Sequence, residues 1–244
     1  LVYTSASGDV YARYDGGNAW KASLAAGTYS YRVTAFGGCV IESGTVEVTD
    51  GGRQEIAIAA SDLDLAIPDQ RVNGSAEMLG ALGTPVSFVY SGFMGLEGAS
   101  IEDVTRFAAE TRFVFENGST MELQLVRWDN TYEIKFMIND QNNGVSYMVT
   151  SERAPDVFER LLEDNGVWFT VAVQNGAASV WAKNTDDEWE QVKTWEGDTV
   201  WEGVPGNSPV VKVEFRKRYD GSSQNYAVLK DAVFQLGTST PELG

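Results

Sequence analysis

Phe169-Thr-Val171-Ala-Val173-Gln174-Asn175-Gly176-Ala-Ala-Ser-Val180-Trp181-Ala182 is the stretch that decides how the rest of the chain is read. Apolar residues fall at every second position, 169, 171 and 173, and an Asn-Gly pair follows. A period of two puts one face of a strand on a core and the other in water. Asn-Gly most readily takes the positive-φ positions of a tight hairpin turn. The stretch predicts two antiparallel strands joined by a short turn.

The same pattern recurs on both sides. Residues 111–115 lead through Asn117-Gly118 into Met121-x-Leu123-x-Leu125. Tyr132-x-Ile134-x-Phe136-x-Ile138 follows Asp129-Asn130, and Val145-x-Tyr147-x-Val149 follows Asn142-Asn143-Gly144. Val211-x-Val213-x-Phe215 and residues 228–236 read as the last two long strands. One helix is legible, over 154–163, with Val157 and Leu161 on one face behind Pro155 at its start. Nearer the start of the chain, residues 28–33, 44–49 and 54–58 alternate in the same way, separated by Gly37-Gly38 and Asp50-Gly51-Gly52. Ser61-Asp-Leu-Asp-Leu-Ala-Ile-Pro68-Asp-Gln70 reads as a short acidic connection, a hinge at Pro68 or equally a strand through Leu63, Leu65 and Ile67. The expectation is an all-β chain: a small β-sandwich over 1–60, a larger two-sheet jelly roll with one short helix over 61–237, and a tail over 238–244.

Composition narrows the chemistry. With 18 basic and 35 acidic residues the chain carries a net charge of −17, against a nucleic-acid partner or an anionic lipid surface. No apolar run approaches the roughly 18 residues of a membrane helix, so no membrane insertion by a helix is expected. The absence of histidine removes Ser-His-Asp and Cys-His catalysis and His-ligated zinc. A single cysteine, Cys39, excludes an internal disulfide. Residues 1–60 hold six acids and four bases, so the acidity belongs to the second domain. Seven lysines against eleven arginines, with low cysteine, lean towards a bacterial secreted or cell-surface protein. A chain opening on Leu1 is expected to be part of a longer multidomain protein.

Two resemblances sharpen the picture. Leu24-Ala-Ala-Gly27-Thr28-Tyr29-x-Tyr31-x-Val33 followed by Gly44-x-Val46-x-Val48 resembles the bacterial Ig-like modules of the PEGA and carboxypeptidase-regulatory (CnaB-like) type. Such modules serve as spacers or docking pieces. Trp168-x-x-Val171-x-Val173, the Asn-Gly turn and Val180-Trp181-x-x-Asn184 resemble laminin G-like and concanavalin A-like jelly rolls. Lys230-Asp231-Ala-Val233-Phe-Gln-Leu236 matches their usual last strand. That resemblance covers most of 66–237 and assigns Trp168 and Trp181 to packing. It also implies that a lyase of this fold needs Gln-x-His, which this chain lacks.

Six of the seven tryptophans lie in the second domain, five of them between 168 and 201. Sugar sites use flat aromatic faces against the C–H face of a pyranose, with polar groups at the ring edge. Arg127, Trp128, Asp129 and Tyr132 put two rings, a donor and an acceptor about one turn, and Trp189, Trp195 and Trp201 fall in a polar stretch where exposed rings are expected. These seven are the candidate ligand-binding residues. For a hydrolase of this fold, Asp186, Glu188 and Glu190 offer the only acids at alternating positions of one run. No cofactor is required; Ca²⁺ is the one metal considered, at Asp140, Asn142, Asp186 and Asp187. The leading expectation is a non-catalytic carbohydrate-binding or adhesion segment, lectin-like, with a glycan or polysaccharide as partner. The alternatives are a glycoside hydrolase-like enzyme and a purely structural stalk.

Overall fold

Alternating apolar positions need a second apolar layer to cover them, and the chain divides into two compact units, Leu1–Ala60 and Ser61–Gly244, the second of which supplies such a layer. The computed structural model describes residues 2–5, 8–16, 19–34, 40–51, 64–80, 87–139, 144–174, 176–193, 199–205 and 208–236.

In the first unit, β1 (Val2–Ser5), β2 (Gly8–Tyr11), β5 (Gly27–Thr34) and β6 (Val40–Val48) form an antiparallel sheet in the order β2-β1-β5-β6. β3 (Arg13–Gly16) and β4 (Ala19–Lys21) pair separately. The runs read at 28–33 and 44–49 are therefore strands, hydrogen-bonded to each other from Gly27↔Val48 to Thr34↔Val40. The run at 54–58 and the turn at Gly37-Gly38 lie outside the described residues. Among the described residues, then, this unit shows one four-stranded sheet and one two-stranded pair.

The second unit is a two-layer antiparallel sandwich. Its elements are β7 (Asp64–Ile67), β8 (Gln70–Val72), β9 (Ser75–Leu79), β10 (Ser87–Glu97), β11 (Arg106–Phe115), β12 (Thr120–Trp128), β13 (Thr131–Asn139), β14 (Gly144–Thr150), α1 (Pro155–Asp164), β15 (Gly166–Gln174), β16 (Ala177–Lys183), β17 (Trp189–Gln191), β18 (Trp201–Glu202), β19 (Val210–Arg218) and β20 (Tyr226–Leu236). One sheet runs β17-β16-β15-β10-β20-β7, with β18 also on β16 and β8 also on β20. The other runs β14-β13-β12-β11-β19-β9. The hairpin of β15 and β16 forms as read, Val173 opposite Ala178 and Gln174 opposite Ala177, with Gly176 at φ 81°; Asn175 lies outside the described residues.

The facing sides interlock through rings. Phe88 stacks on Phe234 at 4.7 Å and lies 5.4 Å from Phe113 of the opposite sheet. Tyr90 is fully buried among Phe113, Phe169 and Phe234, and its hydroxyl shares a 2.9 Å hydrogen bond with Thr111 Oγ1 across the layers. Each such side chain contributes about 1.5–3 kcal/mol of apolar burial, and the shared hydrogen bond gives each of the two buried hydroxyls a partner. Of the hinge and the strand that residues 61–70 allow, the strand forms over 64–67: Leu65 and Ile67 are buried and β7 pairs with β20. β10, unread in the sequence, lies between β15 and β20 at the middle of its sheet.

Candidate functional site

The site grows from the alternation of β11. Phe107, Ala109, Thr111, Phe113 and Phe115 face the core, so Ala108, Glu110 and Arg112 face out. The register places Glu110 between Gln124 of β12 and Arg216 of β19, and Arg112 between Glu122 and Glu214. These residues form a charged array on the outer face of the six-stranded sheet. Yet its floor is buried: Glu110 is 0% exposed, Gln124 3% and Glu122 5%.

A buried carboxylate survives only if its lone pairs are met. Glu110 Oε1 accepts from Arg216 Nε at 2.6 Å and from Arg216 Nη2. Its Oε2 accepts from Arg218 Nη1 at 3.1 Å and from Gln124 Nε2 at 2.9 Å. The same Gln124 nitrogen donates to Glu122 Oε2 at 3.0 Å, tying the two carboxylates together. Burial pushes the Glu122 carboxyl above its ordinary value, and the Glu110 charge pushes the same way, against the pull of Arg216, Arg112 and Arg218. Above this floor opens a cleft of about 530 Å³, lined by Gly74, Ser75, Arg112, Glu122, Arg216, Lys217 and Arg218.

Further along the same face of β12 comes Trp128, 40% exposed, six residues or about 20 Å from Glu122 at strand rise. Tyr219, 49% exposed, meets it edge to face at 5.4 Å. Arg106 lies 4.2 Å over the indole and Arg218 4.9 Å from the Tyr219 ring. Tyr219 holds φ at 70°, a left-handed backbone that a bulky residue adopts only where its surroundings impose it. Two residues before it stands Lys217. Its ammonium, on a side chain only 1% exposed, donates to Asn73 Oδ1 at 2.8 Å, Ser222 O at 2.6 Å and Asn225 O at 2.7 Å, with Asp220 at 3.1 Å. Four oxygens around one buried cation pin the loop that carries Tyr219.

The residues expected from the sequence separate. Trp128 and Asp129 stand at the tip of the β12–β13 hairpin, with Asp129 3.7 Å from Arg106. Arg127 and Tyr132 point the other way. They are opposite each other in register on the core side, Arg127 is buried with Nε donating to Val104 O at 3.2 Å, and its guanidinium lies 4.4 Å over the Tyr132 ring. Trp201 is no contact residue: it is fully buried, stacked on Tyr147 at 5.2 Å and 4.8 Å from Phe136, because β18 pins it against β16. Trp189 is half-buried on β17 beneath Lys183, in the other sheet. Trp195 lies outside the described residues. Trp168 and Trp181, assigned to packing, are half-buried; Trp168 leans on Phe93 at 5.3 Å, and neither joins the inter-sheet core.

The acidic run also disperses. Asp186 and Asp187 sit in an exposed turn whose amides at 186 and 188 donate to Asn184 Oδ1. Asp187 pairs with Lys183 and Arg160, and the Lys183 hydrogen bond holds its carboxyl below the usual range. Glu188 precedes the strand and Glu190 lies within it, so Asp186, Glu188 and Glu190 do not share one strand face. Among the described residues no cluster of three or more His, Cys, Asp or Glu offers a metal site. Asp140 and Asn142 lie outside them.

A scan against known protein families finds no match, and no curated protein matches in sequence. Solved structures share the fold loosely. A functionally unknown protein from Saccharomyces cerevisiae is 8% identical with a TM-score of 0.42, over 76% of this chain and 93% of that one. A xylan β-1,4-xylosidase from Bacillus halodurans is 10% identical with a TM-score of 0.43, over 71% of this chain but 32% of the enzyme. A lectin from Bauhinia forficata in complex with GalNAc is 10% identical with a TM-score of 0.36, over 88% of each chain. At these scores the likenesses carry no argument about function.

Proposed function

We propose that the second unit binds a carbohydrate along the outer face of its six-stranded sheet and does not cleave it. One observation carries this reading: an exposed Trp128–Tyr219 pair continues, on the same sheet face, into a cleft walled by planar polar groups. The rings suit the C–H face of a pyranose, and Arg, Gln and Glu side chains suit its hydroxyls. On this reading the first unit is an Ig-like spacer, and the chain belongs to a bacterial secreted or cell-surface protein.

The state of Glu110 favours binding over hydrolysis. A glycosidase needs a carboxylate free to attack or to activate water, and both oxygens of Glu110 are spent on Arg216, Arg218 and Gln124. One observation supports the rival reading. Glu122 is held towards its protonated form, as a general acid is, and shares Gln124 with a second carboxylate.

Isothermal titration of the full chain against an oligosaccharide panel, with reducing-end release measured in parallel, separates the two. Binding without turnover is expected. Trp128→Ala and Tyr219→Ala should each weaken it roughly five- to tenfold, the equivalent of about 1–1.5 kcal/mol of stacking. Turnover abolished by Glu122→Gln would establish the hydrolase instead.

A further inference from the structure

We infer that the glycan held in this cleft carries carboxylate groups, and that Arg112 is the residue that grips one of them. The inference rests on the carbohydrate reading and names its ligand class. Four of the seven lining residues are cationic (Arg112, Arg216, Lys217 and Arg218) against the single carboxylate of Glu122. That is the reverse of the balance in a chain of net charge −17.

The donors are spent unequally. Lys217 uses its ammonium on the Asn73–Asn225 cage. Arg216 and Arg218 are anchored from below by Glu110. Arg112 is different. It lies 3.1 Å from Glu122 and 3.9 Å from Glu214, but these are ion pairs without hydrogen-bond geometry. Its Nε, the atom that lies against Glu122 Oε1, is buried and makes no hydrogen bond among the described residues, while the side chain as a whole is 30% exposed.

Glu110 meanwhile has no acceptor capacity left. A guanidinium presents five N–H donors in a planar fork, so the cleft holds many more donors than acceptors. A neutral sugar hydroxyl accepts and donates in similar measure and leaves that surplus unmet. A carboxylate brings two acceptor oxygens in the plane of the fork and makes the bidentate, charge-assisted pair that guanidinium favours.

The test compares three ligand sets by calorimetry on the full chain: oligosaccharides of galacturonate, glucuronate and mannuronate; the same oligosaccharides with carboxyls reduced to hydroxymethyl; and a neutral galactan bearing sulfate esters. At least one uronate should bind about tenfold or more tighter than its reduced twin, the scale of one charge-assisted bidentate pair. Arg112→Gln should erase that margin, so that on this variant the uronate binds no tighter than its reduced twin. Arg112→Lys, which keeps the charge and loses the fork, should erase only part of it. Equal affinity for uronate and twin overturns the inference and leaves the carbohydrate reading standing. Preference for the sulfated galactan overturns the assignment to carboxylate. Failure of every set to bind overturns the carbohydrate reading as well.

Discussion

Glu110 and Arg216 form the node on which the cleft is built, and cutting it from either side should not cost the same. Glu110→Gln keeps shape and removes charge. It turns an amide NH₂ towards donors on Arg216, Arg218 or Gln124, yet the arginines left behind are 22% and 39% exposed and Arg216 keeps Glu122 at 3.5 Å. Water and Glu122 absorb part of the loss, leaving a penalty of about 1–2 kcal/mol. Arg216→Met strands a carboxylate with no solvent exposure, held only by Arg218 and Gln124, and a stranded buried charge costs about 3–5 kcal/mol. Urea unfolding followed by tryptophan emission reads the difference. With a slope of about 2 kcal/mol per M, Arg216→Met should lower the midpoint roughly 1 M further than Glu110→Gln. Equal midpoints, or the opposite order, would show that Glu110 behaves as a surface carboxylate and would refute the buried-floor argument.

The other predictions concern single side chains. Trp201→Ala should destabilise the second unit by about 3–5 kcal/mol in the same assay, as removal of a core indole does, whereas Trp128→Ala should stay within about 1 kcal/mol of the parent. Glu122 is an acid whose folded pKa is raised, so its contribution to stability is full below the unfolded value and is lost as pH rises through the folded one. The stability of Glu122→Gln relative to the parent should therefore improve from pH 4 towards neutrality, measured as midpoints at each pH; a flat difference would show the carboxyl to be unperturbed. Lys217→Met should cost about 2–4 kcal/mol by leaving Asp220, the buried Asn225 carbonyl and the part-buried Ser222 carbonyl without their cation. The same change should weaken glycan binding, because the loop holding Tyr219 loses its pin; unchanged thermal unfolding would show that the cage contributes nothing.

Legibility followed chemistry that is local. The β15–β16 hairpin announces itself through period-two apolar residues and Asn-Gly, and β12, β13 and β14 through the same alternation. β10 escaped because its buried pattern is nearly continuous, as in a strand covered on both faces, so Phe88 to Glu97 shows no period to read. The floor of the cleft escaped for a different reason. Glu110, Gln124 and Arg216 occupy the positions that alternation assigns to water, and what makes them a site is lying side by side across three strands. Register is not local. The available signal was that Glu110-x-Arg112, Glu122-x-Gln124 and Glu214-x-Arg216-x-Arg218 each put paired polar groups on the outer face. Trp201 misled because its neighbours are acidic, while its burial depends on a two-residue strand, β18, finding β16. Trp128 was legible because it stands at a hairpin tip, where little remains to cover it.

The most direct measurement is a titration of the full chain with binding oligosaccharides, followed through the seven tryptophan indole N–H resonances, with Trp128→Phe identifying one of them. The account predicts that the Trp128 resonance moves with saturation and that the resonance of buried Trp201 stays in place. Movement confined to Trp168, Trp181 or Trp189 would put the ligand on the other sheet and contradict the account, as would a spectrum that no glycan changes.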